Sequence, residues 1–134
     1  MPTREHQRIL ALVLKRMAAL GYSALAIDGA TEGLRQAELK RPEVFGRHRP
    51  DAVGCAPDGR LCIGEAKTAG DFGSHHTREQ LEDYLVARGS TYPLVLLGYP
   101  RSADAVVRSL LSTIGALDCP QLELIAVPDE LLND

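Results

Sequence analysis

The chain has 134 residues, enough for one well-formed core and too few for two, so a single domain over 1–134 is expected. With 45% hydrophobic and 25% charged residues it fits an ordinary soluble domain, and no apolar run approaches a membrane span. A formal net charge of −3 argues against indiscriminate binding to nucleic acid, and an N-terminus without a basic stretch and apolar signal core leaves the cytoplasm as the expected compartment.

The first pattern is helical. Thr3 is placed to cap the helix, Glu5 lies in its first turn, and Leu10, Val13, Leu14, Met17 and Leu20 mark an apolar face that Gly21 ends. A glutamate in a first turn is most often there to compensate the helix dipole. Residues 22–27 predict a strand broken by Asp28-Gly29, and residues 31–40 predict either a short helix marked by Leu34, Ala37 and Leu39 or irregular chain. Between 35 and 49, Arg35, Lys40, Arg41, Arg47 and Arg49 outnumber Glu38 and Glu43, while Pro42, Gly46 and Pro50 make the approach to Asp51 a loop or short edge segment. Arg47 and Arg49 are candidates to meet a phosphate backbone, although a solvated loop carrying arginines is at least as common.

A β-hairpin follows. Pro57-Asp58-Gly59 separates two strand-like runs, 51–56 and 60–67. Proline sets the first turn position, Asp58 suits the second, and Gly59 can adopt the left-handed conformation that closes a three-residue loop. That loop pairs Ala56 with Arg60 and therefore Asp51 with Glu65, on one face and roughly 5 Å apart at Cβ. A two-residue Asp58-Gly59 turn would instead pair Asp51 with Ala66; Pro57 favours the longer loop. Lys67 returns to the Glu65 face. Ala52, Gly54, Ala56, Cys62, Gly64 and Ala66 leave the reverse face nearly free of side chains, so a helix can pack close there and both faces are expected to be covered. Cys55 and Cys62 point to opposite faces, and with Cys119 they read as small buried hydrophobes rather than a disulfide or metal set.

Paired carboxylates repel unless a cation sits between them. Magnesium, or manganese in its place, suits one or two carboxylates and completes its shell with water and substrate phosphate. Lys67 is then placed to orient a water or balance developing negative charge. This is the equipment of a metal-assisted phosphodiesterase.

Residues 69–76 predict a loop with Gly70, Gly73 and the pair His75-His76, able to close over substrate. His75 and His76 are candidate phosphate or metal contacts, with His76 the one placed in the site, against the commoner reading of incidental surface histidines. Thr77-Arg78-Glu79-Gln80 has the pattern of a capping box, which would turn Gln80 back to the Thr77 backbone; Tyr84 falls one turn later beside the apolar pair Leu81 and Leu85. Residues 92–98 predict a buried strand, and Ser102 is expected to cap a helix to 114 that buries Val106, Val107, Leu110, Leu111 and Ile114. A last strand over 122–127 is stopped by Pro128, leaving an acidic tail unstructured or loosely docked.

Pro50-Asp51, then Glu65-x-Lys67, then Gln80-x-x-x-Tyr84 resembles the signature of the PD-(D/E)XK nuclease superfamily, including the QxxxY element of some of its branches. The resemblance covers residues 50–84 and extends to the rest by the order of elements. It implies a restriction-endonuclease-like αβββαβ core with a mixed central sheet flanked by helices, and hydrolysis of phosphodiester bonds in DNA with Mg²⁺ or Mn²⁺. It implies metal ligation by Asp51 and Glu65, with the Ala66 carbonyl and a first-helix acid, Glu5, as further ligands. It makes Lys67 catalytic, with Gln80 and Tyr84 supporting the site or touching substrate. A chain this small has little surface for sequence recognition, so structure-directed cleavage, a homodimer or a targeting partner protein is expected. Two other readings remain. One is a nuclease fold without catalysis, acting as a binding or adaptor module, in keeping with 4% aromatic residues. The other is a surface ion-pair cluster in an unrelated domain.

Overall fold

The computed structural model describes residues 3–27, 49–87 and 94–133. Helix α1 (Arg4–Ala19) begins at Thr3, whose side chain accepts from the His6 N–H at 3.1 Å, and ends before Gly21, which takes φ 93°. Strand β1 (Ser23–Ile27) follows. The segment expected as a helix or irregular chain over 31–40, most of the basic run including Arg47, and the first two residues of the expected strand over 92–98 lie outside the described residues.

The hairpin of β2 (Ala52–Cys55) and β3 (Leu61–Ala66) has the three-residue loop. Ala56 N donates to Arg60 O at 2.8 Å, Gly59 N donates to Ala56 O at 2.9 Å, and Gly59 adopts φ 90°. Ala52 pairs with Gly64 and Val53 with Ile63, the register that sets Asp51 opposite Glu65. Strands β4 (Leu94–Pro100) and β5 (Leu122–Val127) complete a five-stranded mixed sheet ordered β1-β2-β3-β4-β5. The first two pairings are antiparallel and the last two parallel.

Helices cover both faces. On one, Ile9, Leu10, Val13 and Met17 of α1 pack with Ala52, Cys62, Ala66 and Leu96. The small-residue face makes this possible: a Cβ built on Gly98 would stand 2.5 Å from Val13 Cγ2, and one on Gly54 2.5 Å from Met17 Sδ. On the other face, α2 (His75–Glu82), a π-helical turn (Asp83–Ala87) and α3 (Asp104–Thr113) bury Leu81, Tyr84, Leu85, Val107 and Leu111 over Ile63, Val95 and Leu97. No helix among the described residues is long and apolar enough to cross a membrane.

Several expectations are corrected. The loop over 69–76 is a 3₁₀ turn (Ala69–Gly73) closed by Asp71, whose carboxylate accepts from Thr68 N at 2.7 Å and Thr68 Oγ1 at 3.0 Å. The cap of α2 is Ser74, accepting from Thr77 N at 3.4 Å, so Thr77 is a buried first-turn residue and Gln80 is free of capping. Ser102 lies in a 3₁₀ turn (Arg101–Ala103) ahead of α3, and Val106 is 53% exposed because the helix turns Val107 and Leu111 inward. The acidic tail is tied down: Asp129 accepts from Ser102 N at 2.9 Å and Ser102 Oγ at 2.6 Å. All three cysteines are free thiols, but only Cys62 is buried; burial, then the charge of Glu123, pushes it up to about 12.

Candidate functional site

Glu65 is the most deeply buried carboxylate among the described residues, 1% exposed near the end of β3. Its two oxygens have different surroundings. Oε1 accepts from Asp51 N at 3.1 Å, from Tyr84 OH at 3.3 Å and from Gln80 Nε2 at 3.5 Å. Oε2 has no hydrogen-bond donor, and the Lys67 ammonium lies 3.7 Å from it. Lys67 itself donates to Gln80 Oε1. The helix α2 and the π turn thus hold one carboxylate oxygen and the lysine through Gln80 and Tyr84, and leave the other oxygen to the site.

Asp51 stands at the mouth, immediately before β2. Its Oδ2 accepts from Ala66 N at 2.8 Å, which locks the carboxylate across the open end of the hairpin. The same oxygen lies 3.2 Å from His6 Nε2, and both side chains are 17% exposed. The α1 residue that reaches the carboxylates is therefore His6, not its neighbour Glu5. A helical period explains this: His6 precedes Ile9, Leu10, Val13 and Met17 on the core face, and Glu5 falls to its side. The apolar spacing alone could have identified it.

The electrostatics follow from burial. Desolvation, then the charge of Asp51, holds Glu65 well above the usual carboxylate range, against an opposing pull from Lys67. Burial, then Glu65, also raises the Tyr84 phenol. His6 is raised by its bond to Asp51, which outweighs desolvation. A cation between Asp51 and Glu65 would relieve this conflict and could take up Glu65 Oε2, which has the Lys67 ammonium at 3.7 Å but no hydrogen bond, so the residues present fit a divalent metal. Among the described residues no group of three or more His, Cys, Asp or Glu side chains forms a ready cage. A magnesium site built on two carboxylates needs none, because water and phosphate complete it.

The remaining candidates are dispersed. His75 and His76 are in the first turn of α2 rather than in a loop; both are exposed, and His75 Nε2 is 2.7 Å from Glu79 Oε1. Arg49 is partly exposed beside Pro50, with its Nε buried and without a hydrogen-bond partner. Comparison with protein families, curated proteins and solved structures yields no match to this chain.

Proposed function

We propose that the protein is a metal-dependent nuclease of restriction-endonuclease-like fold that hydrolyses phosphodiester bonds in DNA. The observation that carries this reading is Glu65: a buried carboxylate fixed through Oε1, with an Oε2 that has no hydrogen bond and only the Lys67 ammonium at 3.7 Å, facing Asp51. A fold keeps so unfavourable a group where its charge has a task. The order α1, β1-β2-β3 antiparallel, α2, then β4 parallel to β3 supports the αβββαβ core.

Asp51 and Glu65 would hold Mg²⁺ or Mn²⁺, with the Ala66 carbonyl and His6 as further ligands in place of Glu5. The bound ion supplies Lewis acidity and lowers the pKa of a water. Lys67, oriented by Gln80, positions the attacking water and balances charge on the phosphate. Gln80 and Tyr84 keep Glu65 from turning Oε1 toward substrate. Arg49 at the mouth, with Arg47 and His76, would contact the DNA backbone.

The test is cleavage of supercoiled, branched and single-stranded DNA with Mg²⁺ or Mn²⁺, beside a calorimetric metal titration of wild type, Glu65→Ala and Lys67→Ala. Metal-dependent cutting lost in both variants, with metal binding lost only in Glu65→Ala, is expected. Cutting that survives Lys67→Ala overturns the assignment of roles; DNA binding without metal binding or cleavage favours the adaptor module.

A further inference from the structure

The two edges of the sheet are built differently. Along β1 the pairing with β2 shifts register between Ala24 and Ala26, an irregularity that spoils the edge as a template for another strand. Along β5 the register with β4 is unbroken from Leu122 to Val127, and the strand contains no lysine or proline. Every residue of β5 except Val127 is partly exposed. Leu122, Leu124 and Ala126 lie against the core under α2 and α3, and Ile125 against the core under α1. Both cores therefore run out, half covered, at this edge.

One bond fixes which backbone groups face outward. Val95 N donates to Gln121 O at 2.6 Å. Inward and outward residues alternate along a strand, so Glu123 and Ile125 turn their N–H and C=O toward β4, whereas Leu122, Leu124 and Ala126 turn theirs away. The Leu122 N–H is already taken by Cys119 O at 3.1 Å, leaving Leu124 and Ala126. Among the described residues no strand pairs with this side. Glu123, the one charge on β5, would ordinarily guard such an edge, but Arg16 holds it with bonds of 2.8 and 2.9 Å.

We propose that β5 is a homodimerisation edge, pairing antiparallel with β5 of a second copy about a two-fold axis through Ile125. In this register Leu124 of one copy and Ala126 of the other exchange both backbone bonds, on either side of the axis. Glu123 falls opposite Val127, so like charges do not meet and each Glu123 keeps its Arg16. Other centres are poorer. An axis through Glu123 sets the two carboxylates face to face, one through Leu124 draws in the occupied Leu122 N–H, and one through Ala126 or Val127 brings Pro128, which has no N–H, into the ladder. The strand matches itself in one register, which is why the occupant is a second copy. The result is one sheet continuous through both protomers.

Analytical ultracentrifugation over a range of concentrations should show a species of doubled mass. Leu124→Pro removes an outward N–H and none of the bonds to β4, so it should yield a monomer with the circular dichroism of wild type. Where that variant does not fold, Ile125→Cys in a Cys55→Ser, Cys119→Ser background decides: at the axis the two Cα atoms are about 4.5 Å apart, within disulfide range, and mild oxidation should give a covalent dimer. Wild type that stays monomeric at all concentrations overturns the proposal. So does a dimer that survives Leu124→Pro or that Ile125→Cys fails to cross-link.

Discussion

On the α1 side of the sheet, Gly54, Gly64 and Gly98 let the helix backbone come so close that an added methyl group meets Val13, Ile9 or Met17. On the α2 side, strand β3 presents Glu65 to a buried tyrosine and glutamine and leaves one carboxylate oxygen without a donor. The first side gains stability from close packing of small residues; the second retains a carboxylate whose burial disfavours its charged form. Because side chains alternate along a strand, the six residues of β3 serve both, and the stiff apolar side is what can hold the strained polar side in place.

Substitutions on the two sides should therefore act with opposite sign. Gly98→Ala should cost about 2–3 kcal/mol in urea denaturation, since the new Cβ would lie 2.5 Å from Val13 Cγ2 and 2.9 Å from Ile9 Cγ2, and β-branched side chains give little room. Glu65→Gln should raise stability measured without divalent metal by about 1–2 kcal/mol at neutral pH and, if the proposed site holds, abolish calorimetric Mg²⁺ binding. Its pH dependence has a definite sign: the folded state holds the Glu65 proton more tightly than the unfolded state does. Wild type and Glu65→Gln should thus converge below the ordinary glutamate range and diverge as pH rises toward the folded value; a gap constant with pH would refute the account. Gly54→Ala should cost only about 1 kcal/mol, because its obstacle is the Met17 thioether at the end of a flexible side chain. Arg16→Ala should have the smallest effect on folding. Arg16 lowers the Glu123 pKa, so its contribution is present above the ordinary carboxylate range and disappears as pH falls through the Glu123 folded value. The same change should weaken the β5 dimer more than it weakens the monomer, because it exposes Glu123 as an edge charge.

The hairpin was legible because a short turn carries its own chemistry: Pro57 and Gly59 select the loop, the loop selects the register, and the register brings Asp51 to Glu65. The glycine face was legible for the same reason of period. Legibility fell where two neighbouring residues could each play a part. Ser74 and Thr77 are both good caps, and only the preceding turn closed by Asp71 decides for Ser74. Glu5 and His6 are both polar and one residue apart, and the choice depends on which lies at the centre of the buried stripe: His6, four residues before Leu10 and seven before Val13, does. Val106 and Val107 are equally apolar, and the entry angle set by the turn over Arg101–Ala103 decides which is buried. The bonds from Asp129 to Ser102 join distant parts of the chain and leave no local pattern.

The contact of α1 with Gly98 also imposes an order on folding. The hairpin needs only near neighbours in sequence and can form early. Helix α1, synthesised ahead of the strands it packs on, finds part of its seat on the β2–β3 hairpin and completes it only when β4 is added beside β3. Until then the contacts of Ile9 and Val13 with Gly98 are unmade, and the nascent chain carries that part of the apolar stripe uncovered. The element that stiffens the finished sheet is thus the one most exposed to misassociation while the protein is being made.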